Sequence, residues 1–239
     1  MISRFLLIAI ICQLSLSVVH AKDNPKDNPK IGLVLSGGGA KGLIYIPLLK
    51  AIDSLGLKID YINGTSMGAL IGGLYSIGYS GIELDSIARN IDWNNYLSDE
   101  LPMFKINMEE KDEFKRYLIE FKSNSIVPSL PMGMIEGQNI MRLLNDLTFN
   151  VQHIQDFSKF KIPFKCYAAD IVQGVPVEIK SGSLALALRA SMSIPTVFSP
   201  LDTNGMLLVD GGILKNFPVE NMKKMGADFV IGSNVSTGL

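Results

Sequence analysis

"IDYINGTSMGAL", Ile59 to Leu70, leaves an apolar stretch, places one serine between a glycine and a methionine, adds another glycine, and becomes apolar again. Gly64 and Gly68 stand two residues to either side of Ser66. That spacing suits a sharp strand-to-helix turn, in which the serine is held in a strained conformation and side chains on its neighbours would collide. An ordinary glycine turn can carry the same five-residue pattern, so the surroundings decide the reading.

Upstream, "KIGLVLS" (Lys30 to Ser36) is a short apolar run of the kind that forms a buried strand, and "GGGAKG" follows it directly. The segment from Leu43 to Leu55 then reads as a helix that Gly56 can stop, with Pro47 as a blemish that removes a backbone donor. "IDYIN" is the second strand and Met67 to Ile77 the second helix. Strand, helix, strand, helix at this spacing predicts an α/β fold with parallel strands and right-handed crossovers.

Ser80 and Glu83 form a capping-box pair ahead of a helix from Ile82 to Ile91. Alternation of Tyr117, Ile119 and Phe121 with Leu118, Glu120 and Lys122 favours a strand. A helix is expected over Gln138–Leu147, strands over Phe164–Ala169 and Leu207–Val209, a helix over Val219–Met225 and a last strand in "DFVIGSNV". "LPMFKINMEE" and "VPSLPMGMIEG" read as long loops. Their Met103, Met108, Met132 and Met134 suit either a flexible rim that adapts to apolar ligands or ordinary core filling. No boundary interrupts 31–239, which is read as one domain.

Gly37, Gly39 and Gly42 fit G-x-G-x-x-G between a strand and a helix. In a dinucleotide site an acid about 20 residues on binds the ribose, and Asp60 is the candidate. That acid belongs at the far end of the second strand, however, whereas Asp60 opens it. A Walker loop fails because Lys41 is followed by Gly42 rather than Ser or Thr. The other reading makes Gly37, Gly38 and Gly39 an oxyanion hole, with backbone N–H groups at a helix N-terminus facing a developing negative oxygen. Adjacent parallel strands would bring this loop beside Ser66 at the carboxyl edge of the sheet.

A serine nucleophile needs a base. The histidines are His20, expected to be removed with the first 21 residues, and His153, in a stretch ("NVQHIQDFSKF") without a turn that marks a site. Asp210 in "LLVDGG" is the better candidate. A strand delivers it to its carboxyl end, and two glycines let the chain leave without crowding. A turn-capping aspartate is the alternative for that residue taken alone.

The first 21 residues read as a secretory signal: Arg4, an apolar run from Phe5 to about Leu16, then Val19 and Ala21 before a cut. An uncleaved N-terminal anchor is the alternative. Cys12 does not make a lipoprotein site, because Ile10 and Ile11 precede it where small residues are needed. Residues 22–30 ("KDNPKDNPK") form a polar, proline-broken linker. The chain has 22 Lys and Arg against 23 Asp and Glu, and loss of Arg4 leaves a net charge of −2. No nucleic-acid partner is expected at that charge. Cys166 is the one cysteine left, which excludes a disulfide framework and a cysteine metal site.

"GLVLSGGGAKG", "GTSMGA", "ALRASMSIP" and "LVDGGILKNFPV", in this order, resemble the patatin-like phospholipase family, bacterial branch, from about Lys30 to Val235. The resemblance implies a three-layer α/β/α fold with a mainly parallel central sheet, and a Ser-Asp dyad of Ser66 as nucleophile and Asp210 as base. It implies an oxyanion hole from the 37–39 backbone, no cofactor and no metal. The activity implied is a secreted acyl-ester hydrolase of lipid catabolism, acting on phospholipid or another lipid ester at a membrane surface. An exported lipid-binding module without turnover is the alternative. Lys41 stands where the family often has Arg, and Tyr45 and Pro47 depart from its usual helix; Asp170 matches an often acidic position and is read as structural. In similar bacterial proteins such a domain can precede an outer-membrane barrel, so the chain is expected to be the front part of a longer protein, exported to the periplasm, outer membrane or exterior.

Overall fold

The computed structural model describes residues 29–96 and 133–236. The N-terminal apolar run, the expected strand at Tyr117–Phe121 and Met103, Met108 and Met132 lie outside them. β1 (Ile31–Leu35) leads through the glycine loop into a 3-10 turn (Gly39–Ile44) and then α1 (Tyr45–Ser54). The helix proper therefore starts two residues later than expected. Pro47 falls in its first turn, exposed, where backbone donors have least need of an intrahelical acceptor. β2 (Tyr61–Thr65) pairs in parallel with β1, Leu35 opposite Gly64, and hands over to α2 (Met67–Ser76).

α3 (Gly81–Asn90) opens on the predicted capping box: Ser80 Oγ accepts from Glu83 N–H while the Glu83 carboxylate accepts from Ser80 N–H at 2.7 Å. A one-turn α4 (Trp93–Tyr96) follows. After the gap come β3 (Gly133–Ile135), α5 (Gln138–Thr148), β4 (Phe164–Asp170), β5 (Val175–Ile179) and α6 (Leu184–Ser191). β6 (Thr196–Phe198), β7 (Leu201–Thr203), β8 (Met206–Asp210), α7 (Val219–Lys224) and β9 (Phe229–Ser233) complete the order. β3 and β6 form a small sheet of their own.

The main sheet runs β7-β8-β4-β2-β1-β9, with β5 also on β4. β9, β1, β2 and β4 are parallel, whereas β8, β7 and β5 join antiparallel, so the sheet is mixed with a parallel centre. One side carries α2 and α6, whose small residues let Leu33, Leu35, Ile62, Phe164 and Leu188 close into the main core. α7 covers the other side, where Met222 packs against Gly32. Three layers result.

The register of β4 positions everything that follows. β5 pairs with Cys166–Asp170 and takes one edge of β4. The other edge is shared: β2 pairs with Phe164–Tyr167 and β8 with Ala168–Asp170. β2 runs with β4 and β8 against it, so their carboxyl ends meet head to head. Thr65 lies opposite Tyr167, and Asp210 lies opposite Ala168.

Candidate active site

At that junction Ser66 leaves β2 with φ 52° and ψ −123° and caps α2. A positive φ costs a non-glycine residue about 1–3 kcal/mol and persists only where the surroundings hold it. Here they do so by close approach. A Cβ on Gly64 would strike the Gly68 carbonyl, and one on Gly68 would strike the carbonyl of Leu35. The two glycines thus let the first turn of α2 press against the ends of β1 and β2.

Asp210 ends β8. Its Oδ1 accepts the Gly212 N–H at 2.7 Å, and its own N–H donates to the Ser193 carbonyl at 2.8 Å. The remaining oxygen, Oδ2, accepts the Ser66 hydroxyl at 2.5 Å. Both residues are nearly enclosed, Ser66 being 5% and Asp210 7% exposed. Burial raises the Asp210 carboxyl above the ordinary carboxylate range, against the lowering effect of the Ser66 and Gly212 bonds. A carboxylate so placed is a stronger proton acceptor than a free one.

The glycine loop lies on the other side of Ser66. Its root, Ser36, is fully buried: Tyr45 donates its hydroxyl to the Ser36 carbonyl at 2.7 Å, and Ser36 Oγ accepts the Val235 N–H at 3.0 Å. Gly37 N–H donates to Asn216 Oδ1 at 3.0 Å. Among the described residues no hydrogen bond engages the N–H of Gly38 or Gly39. Gly37, Gly38, Gly39, Lys41, Ser66, Ile194, Asp210 and Asn216 share a cavity of about 310 Å³. It offers one hydroxyl, one carboxylate and a turn of backbone donors, an arrangement able to add a hydroxyl to a carbonyl and hold the resulting oxyanion.

The other candidates fall elsewhere. His153 is exposed in a turn and does not line the cavity. Asp60 sits at the opposite end of β2 from Ser66, where it accepts the Ile31 N–H and pairs with Lys58 at 2.8 Å, so it fixes the start of the sheet. Asp170 is buried and its Oδ1 accepts from Val172 N–H and Leu207 N–H, closing the turn after β4, which is a structural use. Lys41 is exposed at the cavity wall. Cys166 is buried, and burial pushes its thiol up. No cluster of three or more His, Cys, Asp or Glu suited to a metal occurs among the described residues.

Sequence reasoning assigned no role to Asn216, Ser191 or Ser193, although all three lie in stretches that carried the resemblance. A small polar residue inside an otherwise apolar helix end, as in "RASMS", was the available signal.

A family model described as Patatin-like phospholipase matches residues 33–223. The chain is 30% identical over 210 residues to lysophospholipase nte1 of Emericella nidulans, covering 87% of this chain and 12% of that protein. It is 29% identical over 209 residues to an NTE family protein of Mycobacterium bovis, covering 87% and 50%. The chain therefore spans half or less of the length of these curated relatives. Among solved structures, VipD from Legionella pneumophila shares the fold with a TM-score of 0.55 at 17% identity, over 86% of this chain and 49% of that one. With a family match over most of its length and a fold that agrees, the chain belongs to the patatin-like phospholipase family.

Proposed function

We propose that the domain hydrolyses acyl esters of phospholipids or lysophospholipids through Ser66 and Asp210. The observation that carries this reading is the 2.5 Å bond from Ser66 Oγ to Asp210 Oδ2, between two nearly buried side chains at the floor of an open cavity. Ser66 Oγ attacks the acyl carbonyl carbon as its proton passes to Asp210 Oδ2. The carbonyl oxygen becomes the oxyanion and is met by the free N–H groups of Gly38 and Gly39, each such donor contributing about 3–4 kcal/mol. Collapse breaks the ester C–O bond, and the departing alkoxide takes the proton back from Asp210. Water then adds to the acyl-serine, with Asp210 taking its proton and returning it to Ser66 Oγ as the fatty acid leaves. No step calls on a metal or cofactor.

The test is release of fatty acid from lysophospholipid micelles and from a soluble short-chain ester, with Ser66→Ala as control. Hydrolysis abolished by that substitution in a folded protein supports the reading. Undiminished hydrolysis by Ser66→Ala would overturn it.

We further propose that the domain is exported after cleavage at Ala21, on the strength of the charged start, the apolar run and the small residues at 19 and 21. N-terminal sequencing of the product should begin at or near Lys22. Recovery of an intact Met1 would contradict this.

A further inference from the structure

The β2–β4 ladder stops at the nucleophile, and a side chain from a different element completes it. Ser191, the last residue of α6, is fully buried. Its hydroxyl oxygen accepts the backbone N–H of Ser66 at 2.9 Å, and the same hydroxyl donates to the carbonyl of Tyr167 at 2.6 Å. It therefore stands between two main-chain groups at the point where β2 and β8 meet on β4.

From this geometry we propose that Ser191 is a positioning residue for hydrolysis, holding Ser66 in the strained backbone conformation that aims its hydroxyl at Asp210. The proposal rests on the reading of Ser66 as nucleophile. Three observations support it. Ser66 is 5% exposed, so without Ser191 its N–H would have neither water nor a described protein acceptor, and φ 52° would lose the hydrogen bond that supports it beside the packed glycines. The acceptor is itself locked, because its proton is committed to Tyr167 and its lone pair to Ser66. Two residues on, the Ser193 carbonyl accepts the Asp210 N–H at 2.8 Å, so one segment fixes both partners of the 2.5 Å bond. Arg189 braces that segment by donating to Ser193 Oγ and to the carbonyls of Glu136 and Ser199. The N–H of Ser66 is also removed from the set of oxyanion donors.

The test compares Ser191→Ala with Ser76→Ala, a buried serine near the far end of α2 whose hydroxyl bonds the Gly73 carbonyl. Each variant is assayed on a soluble short-chain ester and for the rate of covalent labelling by a fluorophosphonate, and its melting temperature is recorded. Ser191→Ala is expected to lower kcat and the labelling rate about 10- to 100-fold with KM within about twofold, the signature of lost reactive geometry. Ser76→Ala should lose stability without that loss of kcat. Ser191→Thr, which keeps the hydroxyl, should recover much of the rate. If the alanine variant does not fold, Ser191→Cys serves, since a thiol of similar size is a weak donor and acceptor; it should be slowed in the same way. Wild-type kcat and labelling in a folded Ser191→Ala or Ser191→Cys protein overturns the proposal. So does an equal fall in kcat for the two alanine variants. Either result leaves the assignment of Ser66 standing, because that depends on Ser66→Ala alone.

Discussion

Gly37 donates its backbone N–H to Asn216 Oδ1 at 3.0 Å, tying the glycine loop to the turn after Asp210 across 179 residues. That bond fixes the orientation of the Asn216 amide and engages the first of the three expected oxyanion donors. A Cβ on Gly37 would reach toward both Asn216 and Ser66, so the loop is held close to each.

Asn216→Ala should therefore loosen the loop that presents Gly38 and Gly39. The expected result is a fall in kcat of roughly tenfold on a soluble ester, with little change in melting temperature, because Asn216 is only partly buried. Asn216→Asp should be worse, since a second carboxylate beside the cavity opposes a developing oxyanion. Unchanged kcat in the alanine variant would show that the loop stands without this bond.

Asp210→Asn should remove activity and change the pH dependence of stability. Burial raises the Asp210 pKa in the folded chain above its unfolded value. The stabilising contribution is thus fully present below the unfolded pKa and is lost as pH rises through the folded one. Above its folded pKa the wild type carries a buried carboxylate that the amide variant lacks. Asp210→Asn should therefore melt higher than wild type above that pKa, and the gap should narrow as pH falls through it. In the wild type the acid limb of kcat/KM should lie above the usual carboxylate value. A limb at or below that value would contradict a desolvated carboxylate base.

His153→Ala should retain most activity. The residue is exposed and absent from the cavity wall, while a histidine acting as base would be worth on the order of 10²-fold or more. A folded His153→Ala protein as inactive as Ser66→Ala would replace the dyad with a different base.

Local signals made much of this fold legible. The capping box at Ser80 and Glu83, the strand–glycine–helix unit from Lys30 and the serine turn at 64–68 all appear near their expected places. These depend on neighbours in sequence, which backbone sterics and hydrogen bonding make readable. The short strands β3, β5, β6 and β7 were not legible, since each has only three to five residues and owes its form to its partner. Nor was the shared edge of β4. Nothing in "LLVDGG" says that β8 runs antiparallel and stops where β2 stops, yet that coincidence brings Asp210 to Ser66. Ser191 escaped for the same reason: its partners are 125 and 24 residues away.

Tyr45 offers a test of how the loop is rooted. Its side chain is fully buried, its hydroxyl donates to the Ser36 carbonyl at 2.7 Å, and it lies 2.9 Å from Ser36 Oγ. Burial raises its pKa, so it stays a neutral donor throughout the working range. Tyr45→Phe keeps the ring and removes only the hydroxyl, leaving a buried carbonyl without that donor at a cost of about 1–3 kcal/mol. For a domain of this size each kcal/mol lowers the melting temperature by about 2–4 °C. The loss should be the same at mildly acid and neutral pH, because no proton is gained or lost. Ser36→Ala disturbs the same network, since Ser36 Oγ also holds the Val235 N–H, so the double variant should lose less than the two single losses added together. Strict additivity would mean that Tyr45 and Ser36 act independently and that the glycine loop is anchored by something other than this pair.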